Sequence, residues 1–365
     1  MAFKLNSRVL ETFVTTGTGT ITLGGALIGY KTFASEMSNA DTCFYIMEGG
    51  SDFEIGYGTY SANTLARTAV LRSSNSNNAV NWGAGTKTVG IYPLGPSEWR
   101  PADIIRMQGL FGLKFNGLIH GLTLSNNASD ATNDIDIASG VAADSTGAAF
   151  LTLASGITKR LDAAWAVGSG NGGLDTGSIA NATYHMWLIM RSDTGVVDVL
   201  FSTSATSPTM PANYNYRRRI GSIVRTGGAI KGFTQDGDRF TWKTGVQDVN
   251  ATNPGAAAVT RTLTVPTGIN VIADLFVRLA QAATTDTPGT VALTDLESTN
   301  AAADATNGSL YWFQNVTGGT FISGGSVMVR TNTSGQIRSR LEASSTNTLL
   351  TIGTKGWIDR RGKDR

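Results

Sequence analysis

The chain has 365 residues, a formal net charge of +2, 15% charged residues, one cysteine and two histidines. A nearly neutral chain lacks the basic surface that binds nucleic acid or anionic lipid, and one cysteine cannot build a disulfide framework or a cysteine-based metal site. No apolar run approaches the ~18 residues of a membrane span. The N-terminus also lacks the apolar core of a signal peptide. We therefore expect no nucleic-acid partner and no membrane insertion.

Residues 1–97 contain short β-like runs separated by turn residues. The runs are GTITLGG, IGYKTF, TCFYIME, FEIGYGTY, TLARTAVLRSS and TKTVGIYPL. Strands at this spacing, together with 44 glycines in the whole chain, indicate a sandwich or barrel with many turns. Cys43 lies in one of the apolar runs, which predicts a buried and unreactive thiol.

The stretch TTGTGTITLGG, residues 15–25, raises the question of a phosphate-binding loop. Gly17 and Gly19 match the first two glycines of a dinucleotide fingerprint, but Thr22 occupies the position of the third. No helical periodicity follows, although a helix N-terminus is needed to hold the phosphate. We therefore predict a threonine-rich strand over 14–23 with a glycine bend, in which Gly19→Val lowers stability.

Residues 98–116 are the best helix candidate, because Pro101 suits a first helical turn and an apolar stripe follows it. We interpret this segment as a short connector. A central β domain is predicted over 117–243, with a hairpin turn at SDTG, and a C-terminal β-sandwich over 244–365. The predicted fold class is all-β, with consecutive sandwich or jelly-roll-like domains and a helical connector after the N-terminal domain.

The residues that carry most enzyme chemistry are sparse. His120 and His185 lie in separate blocks, and the common hydrolase and zinc-protease motifs are missing from the sequence. Aspartates cluster in two loops, where turn formation is the first interpretation and cation binding the alternative. These aspartates are Asp130, Asp134, Asp136, Asp236 and Asp238. We expect no catalytic residue, no metal site and no cofactor, and therefore a protein that is not an enzyme.

One charge cluster, in NYNYRRRIGSI, places three arginines beside two tyrosines. On a strand the first and third arginines share a face. They either stack on the tyrosines at a solvated strand end or contact neighbouring subunits. The candidate contacts for a host glycan or a subunit interface are Trp165, Tyr214, Tyr216, Arg217, Arg219 and Trp312.

Several motifs of the first block occur in a recognisable order: RVLET, TGTGTITL, FEIGYGTY, LARTAVLRSSN and VNWGAGTK. About a quarter of the chain thereby resembles an N-terminal module of tailed-bacteriophage virion proteins. The rest resembles the body of phage fibre or spike proteins more loosely, at YNYRRRIGSI and GTKGWIDRRGKDR. The positions on the pattern are Arg8, Glu11, Thr12, Gly17, Gly19, Thr20, Phe33, Glu54, Gly56, Gly58, Tyr60, Arg67, Thr68, Asn75, Trp82, Gly83 and Lys87.

The resemblance implies a virion protein, assembled in the host cytoplasm, without catalytic activity. Its N-terminal domain is expected to dock on portal, tail or capsid proteins. The β domains are expected to project towards a host surface glycan or another fibre, and the protein is expected to be a homotrimer. A head fibre, head spike or adaptor is the alternative position. A carbohydrate-binding or carbohydrate-degrading virion protein is the alternative from another functional class.

Overall fold

A computed structural model describes residues 2–92, 117–281, 289–312 and 321–363. The chain divides into two compact units, Met1–Lys114 and Phe115–Arg365. Strands make up 53% of the residues and helix 1%. The prediction of an all-β protein built from consecutive sandwich-like domains is confirmed. The predicted helical connector at 98–116 lies outside the described residues.

The first unit is one twisted sheet with its loops folded over it. Its strands run in the order β2-β7-β4-β5-β6-β3, and β1 pairs in parallel with β4. Apolar side chains of this unit pack into a core that includes Phe13, Tyr45 and Trp82. Cys43 is buried in this core, as predicted. The elements are β1 (Phe3–Lys4), β2 (Leu10–Phe13), β3 (Ile21–Thr22), α1 (Phe33–Glu36), β4 (Thr42–Gly49), β5 (Asp52–Ser61), β6 (Thr64–Ser73) and β7 (Lys87–Ile91).

The threonine- and glycine-rich stretch is a loop for most of its length, so the predicted continuous strand over 14–23 is wrong. Strand β2 ends at Phe13, and pairing resumes only at Ile21 in the two-residue strand β3. Between them, Gly17 exchanges backbone hydrogen bonds with Trp82, at 2.9 and 3.1 Å. The run IGYKTF forms no named strand either, and helix α1 begins at its last residue, Phe33.

Gly17 adopts a backbone conformation in this loop that favours glycine. Its φ is +88°, in the left-handed region that costs a residue with a β-carbon about 1–2 kcal/mol. We expect Gly17→Val to lower the free energy of unfolding by at least ~1 kcal/mol in urea denaturation. Gly19 has no positive φ, and an added β-carbon there meets nothing within 4 Å. Gly19→Val, which the sequence predicted to be destabilising through a positive φ, is therefore expected to have the smaller effect and is the matched control. Equal losses at both positions would contradict the prediction.

The second unit contains four sheets. Their strand orders are β18-β17-β15-β16-β14-β13-β10-β9, β12-β11-β8, β19-β20-β27-β22-β25 and β21-β26-β23-β24. The strands are β8 (Ile119–Gly121), β9 (Leu124–Asn126), β10 (Asp134–Ile137), β11 (Gly140–Ala143), β12 (Phe150–Leu153), β13 (Ile157–Ala164), β14 (Gly172–Leu174), β15 (Thr183–Arg191), β16 (Val197–Ser202), β17 (Tyr214–Thr226), β18 (Ala229–Ile230), β19 (Phe233–Asp236), β20 (Arg239–Thr252), β21 (Val259–Thr262), β22 (Ile272–Gln281), β23 (Gly289–Thr294), β24 (Leu310–Trp312), β25 (Phe321–Arg330), β26 (Gln336–Leu341) and β27 (Thr348–Ile358).

The hairpin predicted at SDTG and the domain boundary predicted between residues 243 and 244 both lie in this part of the chain. The hairpin at SDTG is confirmed, because β15 and β16 pair as antiparallel neighbours from His185 to Met190. The boundary predicted between residues 243 and 244 falls inside strand β20, which pairs with β27 on both sides of that point. Residues 115–365 accordingly form one compact unit.

Candidate assembly surfaces

The aromatic residues proposed as surface contacts differ in how far they are buried. Tyr214 is buried and packs edge-on against Trp165, with ring centroids 5.2 Å apart. The indole nitrogen of Trp165 donates to the carbonyl of Val199 at 3.2 Å. Tyr216 is half-buried on β17, and the backbone of Trp312 pairs with Gly289. The Trp165–Tyr214 pair is therefore part of the packing between strands.

The three arginines of β17 have different environments. The guanidinium of Arg217 lies over the Trp187 ring, 6.0 Å from its centroid, whereas Arg191 takes the place over Tyr214. Arg219 is buried and forms a two-pronged ion pair with Asp359, at 2.5 and 2.7 Å. A bulge opposite β15 interrupts the register beside Arg219. Arg219 is thus an internal residue, and Arg217 is the more accessible of the two arginines.

Arg219 also belongs to a buried polar cluster. It donates to the hydroxyl of Ser222 at 3.1 Å, and this hydroxyl lies 2.9 Å from Nδ1 of His185. Burial, with the adjacent charge of Arg219, lowers the pKa of His185 to about 4, so the ring is neutral at pH 7. Serine, histidine and aspartate meet here, but Asp359 pairs with Arg219 and all three side chains are buried. The cluster therefore cross-links strands and lacks the access that hydrolysis needs.

Asp130 and Asp238, two of the aspartates considered for turns or cations, are engaged in hydrogen bonds or ion pairs. Asp130 accepts from the backbone amides of Thr132 and Asn133. Asp238 pairs with Arg361 and Lys363, which brings the end of the chain onto the β19–β20 hairpin. Across residues 2–92, 117–281, 289–312 and 321–363, no group of three or more His, Cys, Asp or Glu is placed to hold a metal ion.

A buried ion pair organises the first unit. Glu54 on β5 and Arg67 on β6 face each other with side chains 0% and 2% exposed. The same carboxylate accepts from the hydroxyl of Tyr45 at 2.7 Å and from the amide of Val80 at 2.8 Å. Arg67 also donates to the carbonyl of Val80 at 2.9 Å. This network ties the loop after β6 to the sheet.

Two further residues of the bacteriophage-like pattern hold loops in the same way. Glu11 is buried on β2 and accepts from the amides of Gly25 and Phe33, at 3.0 and 2.6 Å. Lys87 on β7 donates to the carbonyls of Gly83 and Gly85, at 2.6 and 2.8 Å. Glu11, Glu54, Arg67 and Lys87 are thus internal supports of the unit, whereas Arg8, the other charged residue of the pattern, is exposed.

One of the loops so supported presents an apolar tip. Residues 27–30 form a turn closed by the bond from the Tyr30 amide to the Leu27 carbonyl, with φ of +82° at Gly29. Ile28 at the tip is fully exposed, and Tyr30 is partly exposed. Arg8 donates through two nitrogens to the Gly29 carbonyl, at 3.2 and 2.7 Å, which anchors the turn. We name residues 27–30 the Ile28 turn.

The second unit leaves part of one sheet face uncovered. Four large apolar side chains of β22 and β25 are 37–55% exposed: Ile272, Phe276, Ile322 and Met328. Alternate residues of a strand point to the same side of the sheet, and so do residues paired directly across two strands. Even-numbered residues of β22 pair with even-numbered residues of β25, for example Phe276 with Ser326 and Asp274 with Met328, so all four side chains are on one side. The opposite side of β22 is buried core. We name this surface the β22–β25 face.

The charges of the β22–β25 face are partly paired, with cations in excess. Asp274 there pairs with Arg239 and Lys355, at 2.6 and 3.0 Å. Arg330, at the end of β25, pairs with Glu297. Arg278 also lies on this face, and arginine is one of the residue types enriched at interfaces. An exposed apolar sheet face is typical of a surface that another protein covers.

Comparisons with known proteins add little to these observations. No protein-family model matches the chain, and no curated protein matches it. Among solved structures, the chain aligns with "Structure of infectious bursal disease virus Gt strain" at 8% identity, covering 98% of this chain and 72% of that chain. The TM-score is 0.17, so this similarity carries no argument about fold or function. The described residues include no helix long and apolar enough to cross a membrane.

Reasoning from the sequence missed both the Ile28 turn and the β22–β25 face. The glycine at 29 is the available signal for the turn, because a residue with positive φ is needed at the third position of a type II turn. For the sheet face there is no local signal. The run NVIADLFVRLA is apolar on both sides of the strand, and only the packing of the other strands shows which side stays uncovered.

Proposed function

We propose that the chain is a structural component of a bacteriophage virion, a trimeric tail fibre or spike. Its first unit attaches to the particle, and its second unit projects towards the host surface or another fibre. The observation that carries the proposal is the β22–β25 face, because a chain of this size with an uncovered apolar sheet face suits a subunit of an assembly. The resemblance of the first unit to phage virion modules supports the choice of particle.

The partner that we propose for the β22–β25 face is another copy of the chain. Asp274 and Arg330 are ion-paired beside Phe276 and Met328, and the remaining positive charge is carried by Arg278 and by the second cation at Asp274. An interface between copies can bury the apolar side chains while the long arginine and lysine side chains keep their charged ends in water at its edge. Fully burying one large apolar side chain stabilises an interface by about 1.5–3 kcal/mol, so Phe276 and Met328 together contribute substantially.

The oligomer is tested by replacing Phe276 and Met328 together with serine. We expect the wild-type protein to run as a trimer at micromolar concentration in mass photometry or sedimentation, and the double variant to run mainly as a monomer. Val196→Ser is the control, because Val196 is similarly exposed in the β15–β16 hairpin. A monomeric wild-type protein, or a double variant as trimeric as the control, would argue against this interface.

Attachment to the particle is tested at the Ile28 turn. We expect the Ile28→Asp variant to decorate particles that lack the protein at least ~10-fold less than wild type. Burying an apolar side chain in the contact would stabilise attachment by ~1.5–3 kcal/mol, and the substitution replaces that side chain with a charge. Val14→Asp is the matched control, since Val14 is also exposed in the first unit. The assay is quantitative labelling of purified particles. Equal decoration by wild type and Ile28→Asp would show that the Ile28 turn is not part of the surface that contacts the particle.

A further inference from the structure

A second kind of surface lies on the four-stranded sheet of the second unit. Arg338 and Arg340 are two residues apart on β26, so their side chains emerge on the same side, about 7 Å apart along the strand. The loop after β23 folds over this side and encloses a cavity of about 280 Å³. The cavity is lined by Ala292, Thr294, Ser298, Thr299, Ala301, Asn307, Arg338 and Arg340.

Backbone carbonyls hold both guanidinium groups in place. Arg338 donates to the carbonyls of Ser298 and Leu296, at 2.9 and 3.2 Å. Arg340 donates to the carbonyls of Ala256 and Asn300, each at 3.2 Å. Because each guanidinium group makes at least two such bonds, the two arginines are pre-positioned and lose little freedom on binding a ligand.

No carboxylate of the described residues pairs with either arginine. The carboxylates of the covering loop are engaged elsewhere: Asp295 accepts from the amides of Glu297 and Ser298, Glu297 pairs with Arg330, and Asp304 accepts from the amide of Asn307. Carbonyl oxygens satisfy hydrogen bonds but carry no net charge. Neither arginine of the cavity therefore has a carboxylate in direct contact, and a ligand that carries its own carboxylate can supply one.

We propose that this cavity binds a sugar acid, with its carboxylate on Arg340 and its hydroxyl groups on the polar lining. Arg340 uses Nε and Nη1 in the bonds to the loop, so Nη2 is the nitrogen available to an incoming carboxylate. The hydroxyl groups of Thr294 and Thr299 line the cavity and match the hydroxyl groups of a sugar ring, whereas the Ser298 hydroxyl and the Asn307 amide nitrogen donate to Asp295 and Asp304. The volume is close to the lower end of the ~300–1,000 Å³ of ligand sites, which suits one sugar unit.

The site lies entirely within the second unit, and its occupancy does not depend on the proposed assembly. The test is calorimetric titration or ligand-observed NMR of the full chain with N-acetylneuraminate and glucuronate. Glucose is the neutral comparison, and inorganic phosphate is the comparison for a simple anion. We expect at least one sugar acid to bind, glucose not to bind, and Arg340→Gln to weaken the binding at least ~10-fold. Arg160→Gln is the charge-matched control, because Arg160 is exposed and paired with Asp162.

A second variant separates binding from folding. Ala301→Phe fills the cavity while it keeps both arginines, and we expect it to abolish sugar-acid binding in a protein that retains the wild-type melting temperature. The proposal is overturned if neither sugar acid binds at millimolar concentration, or if phosphate binds as well as both sugar acids. It is also overturned if sugar-acid binding survives Ala301→Phe or is reduced equally by Arg160→Gln.

Discussion

Arg67→Met should lower the free energy of unfolding of the first unit by about 3–5 kcal/mol, which is the usual result of removing one partner of a buried ion pair. Glu54 would lose its cationic partner at a position that is 0% exposed. It would retain only the bonds from the Tyr45 hydroxyl and the Val80 amide. Urea denaturation of the full chain measures the loss as an earlier transition of this unit.

The matched control lies on the same strand. Arg72 is exposed on β6, so Arg72→Met should change the free energy of unfolding by less than ~0.5 kcal/mol. If Arg67→Met cost no more than this control, the buried pair would not be a main support of the unit. Burial and the adjacent Glu54 carboxylate raise the pKa of Tyr45, so its hydroxyl stays protonated and continues to donate.

The second large effect is expected at the other buried pair. Arg219→Met should lower the free energy of unfolding of the second unit by about 3–5 kcal/mol at pH 7, because Asp359 is left charged and buried. The variant also lacks the hydrogen bond from Arg219 to the Ser222 hydroxyl, which in turn contacts His185. Arg217→Met is the control on the same strand, because Arg217 is half-buried and stacks on Trp187. Thermal or urea denaturation at pH 7 measures both variants.

The Arg219–Asp359 pair should also make the free energy of unfolding depend on pH. Burial opposes the charge of Asp359, but Arg219 outweighs it and holds the pKa of Asp359 below its ordinary value. A lowered pKa contributes stability that is fully present above the unfolded value of ~3.9 and is lost as the pH falls through the folded value. The difference between wild type and Arg219→Met should therefore shrink below about pH 4. A difference that stayed constant from pH 7 to pH 3 would contradict the ion-pair explanation.

The sequence could predict elements whose signal is local. The strands β4, β5 and β6 coincide with runs of apolar residues separated by turns, and pleated backbone needs only that pattern. The hairpin at SDTG was predictable because its turn residues stand between two apolar runs. The strand predicted for the threonine-rich stretch is wrong. Threonine favours strands, but the loop between β2 and β3 pairs only through an isolated bridge from Gly17 to Trp82.

The sequence by itself determined the all-β class, the turn-rich surface and the burial of Cys43, because composition and alternation act over a few neighbouring residues. Only the tertiary structure decided which charges are partners: Glu54 with Arg67, and Arg219 with Asp359 across 140 positions. It also decided that Arg219 points inwards, and that one side of β22 stays uncovered. These are properties of strands brought together from distant parts of the chain, and no local pattern specifies which strand covers which face.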